Sequence, residues 1–291
     1  MKSTISVSIC FVVACLFLPF FLFGQAVKPQ NIYRVTVISQ YGIENGKYTS
    51  NSIPIHQQIY DSLGRLHTEI DYNPITRYPN NYRWHYFDGS TKLKSEFYLN
   101  EKLSRTEEYD YANNLMNELR VFKVNESDTS LTLRVLYTYN SNNLLAKATG
   151  YNSAGKKGYT ATYKYDSNGN EVERKVKGKR ATPPDSILYL KRTLEYDSLN
   201  RISVENITIT KEGGPQSTNQ IIYKYDGNNN IKEKQINNIN GKQIKRKEYV
   251  YRPDQRIQRQ STFDAENILI DFRAYRYEIY KTSDRRTRIL E

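Results

Sequence analysis

Cysteine is nearly absent from this chain of 291 residues: there are two, Cys10 and Cys15, both inside the first apolar run. Everything downstream therefore lacks disulfides and thiolate chemistry. Histidine is scarce as well. His56, His67 and His85 have neither metal-ligand spacing nor cysteine company, which argues against a zinc site. No apolar run after Phe23 is long enough for a membrane-spanning helix. Negative charge is in deficit: 43 Lys and Arg face 31 Asp and Glu, a formal net charge of +12. Such an excess favours anionic surfaces such as lipid headgroups, acidic glycans or nucleic acid, but it names a sign and not a ligand.

What is present begins with Lys2 and an apolar run from Ile5 to Phe23 that ends at Gly24-Gln25-Ala26. This is the order of a secretory signal peptide, predicted over residues 1–24 with cleavage after Gly24 or Ala26. Residues 25–291 then form one domain, reaching the periplasm, the cell surface or the medium. An uncleaved anchor and a lipoprotein are the alternatives. The lipobox-like Val12-Val13-Ala14-Cys15 is followed by further apolar residues, which would put its cut inside the hydrophobic segment.

The remainder is repetitive. One pattern recurs at 60–66, 87–93, 109–115, 139–145, 165–171, 196–202, 225–231 and 251–257, with a degenerate copy near Tyr277. Each copy opens on an aromatic. Asp or Asn often follows, where a short acceptor closes a turn. Four residues after the aromatic stand Gly64, Asn113, Asn143, Gly169, Asn200 and Asn229, residue types that tolerate positive φ. Thr91 and Gln255 break this rule, so their turns should be built differently. Leu66, Leu93, Leu115, Leu145, Ile202, Ile231 or Ile257 then re-enters a buried face; Glu171 is the exception.

Tyr137/Tyr139, Tyr163/Tyr165, Tyr223/Tyr225, Tyr249/Tyr251 and Tyr275/Tyr277 put two rings on one side of a strand, because strand side chains alternate. A second turn separates successive copies, as at Asn152-Ser153-Ala154-Gly155-Lys156 and Asn240-Gly241, so each repeat supplies two strands. The fold class is all-β: an antiparallel meander of about 18 strands in tandem β-hairpins, near 85 Å wide if flat. Open sheets rarely exceed about ten strands. It should therefore curl into a coiled or partly closed sheet, with the tyrosine and Leu/Ile face inward and Lys, Glu, Asn and Gln outside.

The strings Tyr163-Lys164-Tyr165-Asp166-Ser167-Asn168-Gly169-Asn170 and Tyr60-Asp61-Ser62-Leu63-Gly64-Arg65 resemble the YD-repeat, or RHS-repeat, family over most of residues 55–280. The resemblance implies a spiralling β-shell and, for some surface members, carbohydrate binding. This chain is short for a toxin-enclosing shell, and no distinct effector domain follows its last repeat.

No nucleophile motif, metal site or cofactor fingerprint is legible. Asp166-x-Asn168-x-Asn170 and Asp226-x-Asn228-x-Asn230 imitate the start of a calcium loop, but its twelfth position is Lys177 or Asn237; they read as turn chemistry. Basic clusters at Arg174, Lys175, Lys177, Lys179 and Arg180, and at Lys245, Arg246 and Lys247, with another at Arg285-Arg286-Thr287-Arg288, form a possible ligand surface. The function expected is a non-catalytic cell-envelope scaffold or binding module, with an anionic glycan or another envelope protein as partner. Nucleic acid suits the charge but not the compartment. The competing class is an exported hydrolase of cell-wall or polysaccharide substrates. An outer-membrane barrel is disfavoured because runs such as Ile231-Lys232-Glu233-Lys234-Gln235 charge both strand faces.

Overall fold

The computed structural model describes residues 32–178 and 187–279. The signal-peptide segment, Lys179, Arg180 and the basic cluster at 285–288 lie outside the described residues. The described residues form 18 strands and no helix. In order these are β1 (Ile32–Glu44), β2 (Lys47–Asp61), β3 (Leu66–Tyr72), β4 (Pro79–Asp88), β5 (Thr91–Leu99) and β6 (Lys102–Ala112). Then come β7 (Leu115–Val124), β8 (Thr129–Tyr139), β9 (Leu145–Asn152), β10 (Lys157–Tyr165), β11 (Glu171–Gly178) and β12 (Ile187–Tyr196). The last are β13 (Ile202–Lys211), β14 (Gln216–Tyr225), β15 (Ile231–Asn238), β16 (Gln243–Tyr251), β17 (Ile257–Phe263) and β18 (Leu269–Ile279).

Every strand pairs antiparallel with the next, and β18 returns to pair with β1 from Arg34↔Ile279 to Tyr41↔Phe272. The meander is thus a fully closed barrel and has no raw edge. Eighteen strands at roughly 4.8 Å each give a perimeter near 86 Å, or about 27 Å across if round.

Local chemistry fixes the turns. At the motif edge the Oδ1 of Asp61, Asn140, Asp166, Asp197 and Asp226 accepts two backbone N–H groups, from the residues two and four positions ahead, at 2.8–3.0 Å. One residue before the second donor, the chain passes through positive φ at Gly64, Asn143, Gly169, Asn200 and Asn229. Asn152, Asn238 and Asp264 repeat this turn at the other edge. Gln255 corrects the sequence expectation: its φ is 66° and its turn keeps the same backbone bonds, since closure of the flanking strands overrides the poor intrinsic preference of glutamine. Thr91 does differ, pairing with Asp88 across a tighter turn. Asn113 and Asn114 form another tight turn, both at positive φ.

A second device ties repeat to repeat. The hydroxyls of Tyr139, Tyr165, Tyr196, Tyr225, Tyr251 and Tyr277 donate to the carbonyls of Met116, Leu145, Glu171, Ile202, Ile231 and Ile257, at 2.7–2.9 Å. Each even strand from β8 to β18, except for a break in exact residue type at Glu171, thereby caps the first or second residue of the odd strand before it. Each bond contributes about 0.5–1.5 kcal/mol.

Pairing registers place the rings of Tyr109, Tyr137, Tyr163, Tyr223, Tyr249 and Tyr275 on one continuous face. The best-packed stretch of that face joins Val121, Leu133, Val135, Ala148, Tyr159, Ala161 and Val176, with Val135 2% exposed. Tyr159 is flanked in register by Gly150 and Gly178, and a Cβ at Gly150 would overlap its ring. Gly150→Ala is expected to cost about 1–3 kcal/mol by overpacking, read as a lower urea midpoint. An unchanged midpoint would show that the ring does not rest there. A smaller cluster, Val35, Val37, Ile59 and Ile70, lies on the opposite face, so the expectation of a single apolar side fails in the β1–β3 arc.

Candidate functional site

Two concavities open on the tyrosine face, which marks it as the inner wall. One, of about 500 Å³, is lined by His56, Glu69, Asp71, Arg83, Phe97 and Arg105 among others. The second, of about 270 Å³, lies between Tyr137, Tyr159, Tyr163, Arg174 and Arg192.

This wall is not apolar, which corrects the expectation that charge would stay outside. Strand alternation places Arg83, Arg105, Glu107, Arg174, Arg192, Glu205, Lys234 and Arg273 on it, in register with the rings. Guanidinium and ring are often stacked: Arg174 lies 5.0 Å from the Tyr163 centroid and Arg105 3.7 Å from that of Phe97, contacts favoured by the ring quadrupole. Glu205, 5% exposed, accepts from Arg192 Nε at 2.5 Å and from the Tyr223 hydroxyl. Burial alone would raise its carboxyl pKa; those two hydrogen bonds and the Arg192 charge outweigh burial and hold it below the usual carboxylate range.

Near the larger concavity a polar chain runs from Glu69 to Glu107. His85 Nε2 is 3.8 Å from Glu69, its Nδ1 is 2.9 Å from Ser95 Oγ, and Ser95 meets Tyr109, whose hydroxyl donates to Glu107 at 2.6 Å. His85 beside it, working against burial and helped by Arg83, brings Glu69 down to about 2. The trio Glu69, His85 and Ser95 has the residue types of a hydrolase triad. Ser95, however, is 0% exposed, and its hydroxyl bonds His85 and Tyr109, knitting β4, β5 and β6 together. Among the described residues, no group of three or more His, Cys, Asp or Glu could hold a metal ion. The Asp166 carboxylate is occupied by Asn168 and Asn170 within its own turn.

The basic residues singled out from sequence are divided by the sheet. Arg174, Lys245 and Lys247 face inward; Lys175, Lys177 and Arg246 face outward. Arg174 bridges Glu171 at 2.7 Å and Lys175 bridges Glu173 at 3.0 Å, while Arg246 packs over Phe263 at 4.4 Å. β11 and β16 are five strands apart, roughly 24 Å along the wall, so the two clusters do not make one surface. Sequence reasoning passed over Lys234, Arg273 and Thr262, which the register brings to Lys245 and Lys247, and Arg192, which stands on β12 against Glu205.

The outer wall is charged at mid-strand as well, with Arg134–Glu118 at 2.8 Å, Arg120–Asp110 at 2.9 Å and Lys94–Glu96 at 2.8 Å, and toward the strand ends, with Lys164–Glu173 at 3.0 Å and Lys224–Glu233 at 2.7 Å. Among the described residues no helix is long and apolar enough to cross a membrane.

The chain matches no protein-family model and no curated protein. Among solved structures it is similar over 86% of its length to a porin-like protein from Bacteroides uniformis, at 11% identity, covering 98% of that chain with a TM-score of 0.42. A porin-like protein from Bacteroides vulgatus is matched over 86% of this chain and 99% of that one, at 10% identity and a TM-score of 0.35. The TcdB2-TccC3 structure is matched over 83% of this chain and 16% of that one, at 10% identity and a TM-score of 0.28. The YD-repeat resemblance accordingly rests on the motif itself.

Proposed function

We propose that this chain is an exported, water-soluble β-barrel that serves in the cell envelope as a non-catalytic binding module, with glycan chains as the ligand of its inner wall. The observation that carries this reading is the row of half-buried tyrosine rings on one face between β6 and β18, interleaved with Arg and Lys, with one concavity among the rings and a second farther along the same wall. Rings of this kind offer flat apolar platforms beside polar groups that fix orientation.

Water, not lipid, suits both walls. A charged residue facing lipid near the bilayer midplane costs up to about 2–4 kcal/mol, and each wall carries several at mid-strand. The expected result is that the mature protein purifies as a monodisperse species without detergent and retains a subset of chains on a glycan array, without releasing reducing ends. Tyr249→Leu combined with Tyr275→Leu is expected to weaken retention at least tenfold. An obligatory detergent, turnover of a bound chain, or capture of an envelope protein with no glycan retained would each overturn the reading.

A further inference from the structure

We infer that the β14–β18 sector of the inner wall is a subsite for the anionic groups, carboxylate or sulfate, of an acidic glycan chain; this rests on the glycan reading above and specifies its ligand. Lys234 on β15 and Lys247 on β16 are direct cross-strand partners. Lys245 stands two residues along β16 on the same face. Arg273 reaches the cluster from β18 through the row Tyr249↔Gln260↔Arg273.

The local acids are already engaged. Glu205 is held by Arg192 and Tyr223, and Asp271 by Arg273 and Gln40, each at 2.9 Å. Among the described residues no carboxylate lies within ion-pairing distance of Lys234, Lys245 or Lys247. Elsewhere on this wall Arg83, Arg105 and Arg174 each face a carboxylate, whereas here three lysines stand together without one.

Like charges directly opposite one another destabilise a sheet. Burial comes first in depressing both lysine pKa values; Lys247 and Arg192 add to it at Lys234, and Arg273 and Lys245 at Lys247. A bound anion would relieve that repulsion. A second observation points the same way: Thr262, 4% exposed, sits in register between Lys247 and Asp271, and its Oγ1 has no hydrogen-bond partner. Platforms for the sugar rings are adjacent, with Lys234 Nζ 4.9 Å from the Tyr223 centroid and 6.0 Å from that of Tyr249.

The test is calorimetric titration of the mature protein with two matched pairs of probes: oligogalacturonate against its methyl ester, and dextran sulfate against dextran. At least one acidic chain is expected to bind at least tenfold tighter than its neutral counterpart, with affinity falling as salt rises. Lys234→Gln with Lys247→Gln is expected to erase that difference while the melting temperature stays level or rises. Lys175→Gln with Lys177→Gln removes the same charge from the outer wall and is expected to leave binding unchanged.

Equal binding of acidic and neutral chains overturns the subsite and leaves the glycan reading standing. Equal losses in the two double variants overturn it too, because diffuse charge would then suffice. Binding of none of the four probes sinks both. The comparison of probes on the unmodified protein decides the matter even if an inner-wall variant fails to fold.

Discussion

A chain ended at Phe263, lacking β18, is expected to show no cooperative melting transition and to self-associate where the full chain stays monodisperse. β18 is the strand through which the ring closes, pairing with β17 on one side and with β1 over Arg34 to Tyr41 on the other. Its loss exposes two long, flat edges, which are templates for pairing with another chain. It also removes Phe272, buried at 7% exposure and stacked 4.1 Å from Tyr48, and the Tyr277 cap on Ile257. Scanning calorimetry with light scattering checks this. A truncated monomer that melts like the full chain would show that the sheet holds its curvature without closure.

Glu205→Gln is expected to cost about 3 kcal/mol, the lower end of what removing one partner of a buried ion pair costs. The lower end applies because Arg192 keeps Glu171 at 3.6 Å. The pH dependence follows from the direction of the shift. The Glu205 carboxyl is held below its ordinary 4.5, so its contribution is fully present above that value and is lost as pH falls through the folded pKa. Urea midpoints of the parent and the variant should therefore be furthest apart near neutral pH and converge in acid. Glu69, held to about 2, gives both proteins a further acid-labile contribution between roughly pH 4.5 and 2. A gap that stays constant down to pH 3 would mean that Glu205 does not act through its charge.

Most of the architecture was legible because two local signals agree at nearly every repeat. Tyrosines two residues apart set the face, and an Asx residue followed by a positive-φ position sets the turn. Closure was not legible: it depends on Val35 to Tyr41 meeting residues more than 230 positions away, and no periodicity reports such a distance. Gln255 was misjudged because the strands on either side impose its φ whatever its own preference. The basic site was half legible. Lys245 and Lys247 stand out as a run, yet Lys234 joins them only through the register set by the Asn238 turn, in which 234 pairs with 247 and 236 with 245. Applying that pairing to the sequence would have found it. Arg192 and Arg273 needed pairings across further hairpins, and Thr262 became notable only once its hydroxyl was seen to lack a partner.

The hydroxyl-to-carbonyl caps from β8 to β18 join each even strand only to its immediate predecessor, so none of them reaches across the ring. Ring size then follows repeat number: duplicating one repeat would add roughly 10 Å of circumference and about 3 Å of width, leaving every existing joint as it was. A chain with one more or one fewer repeat would thus close at a different diameter with every remaining seam unchanged.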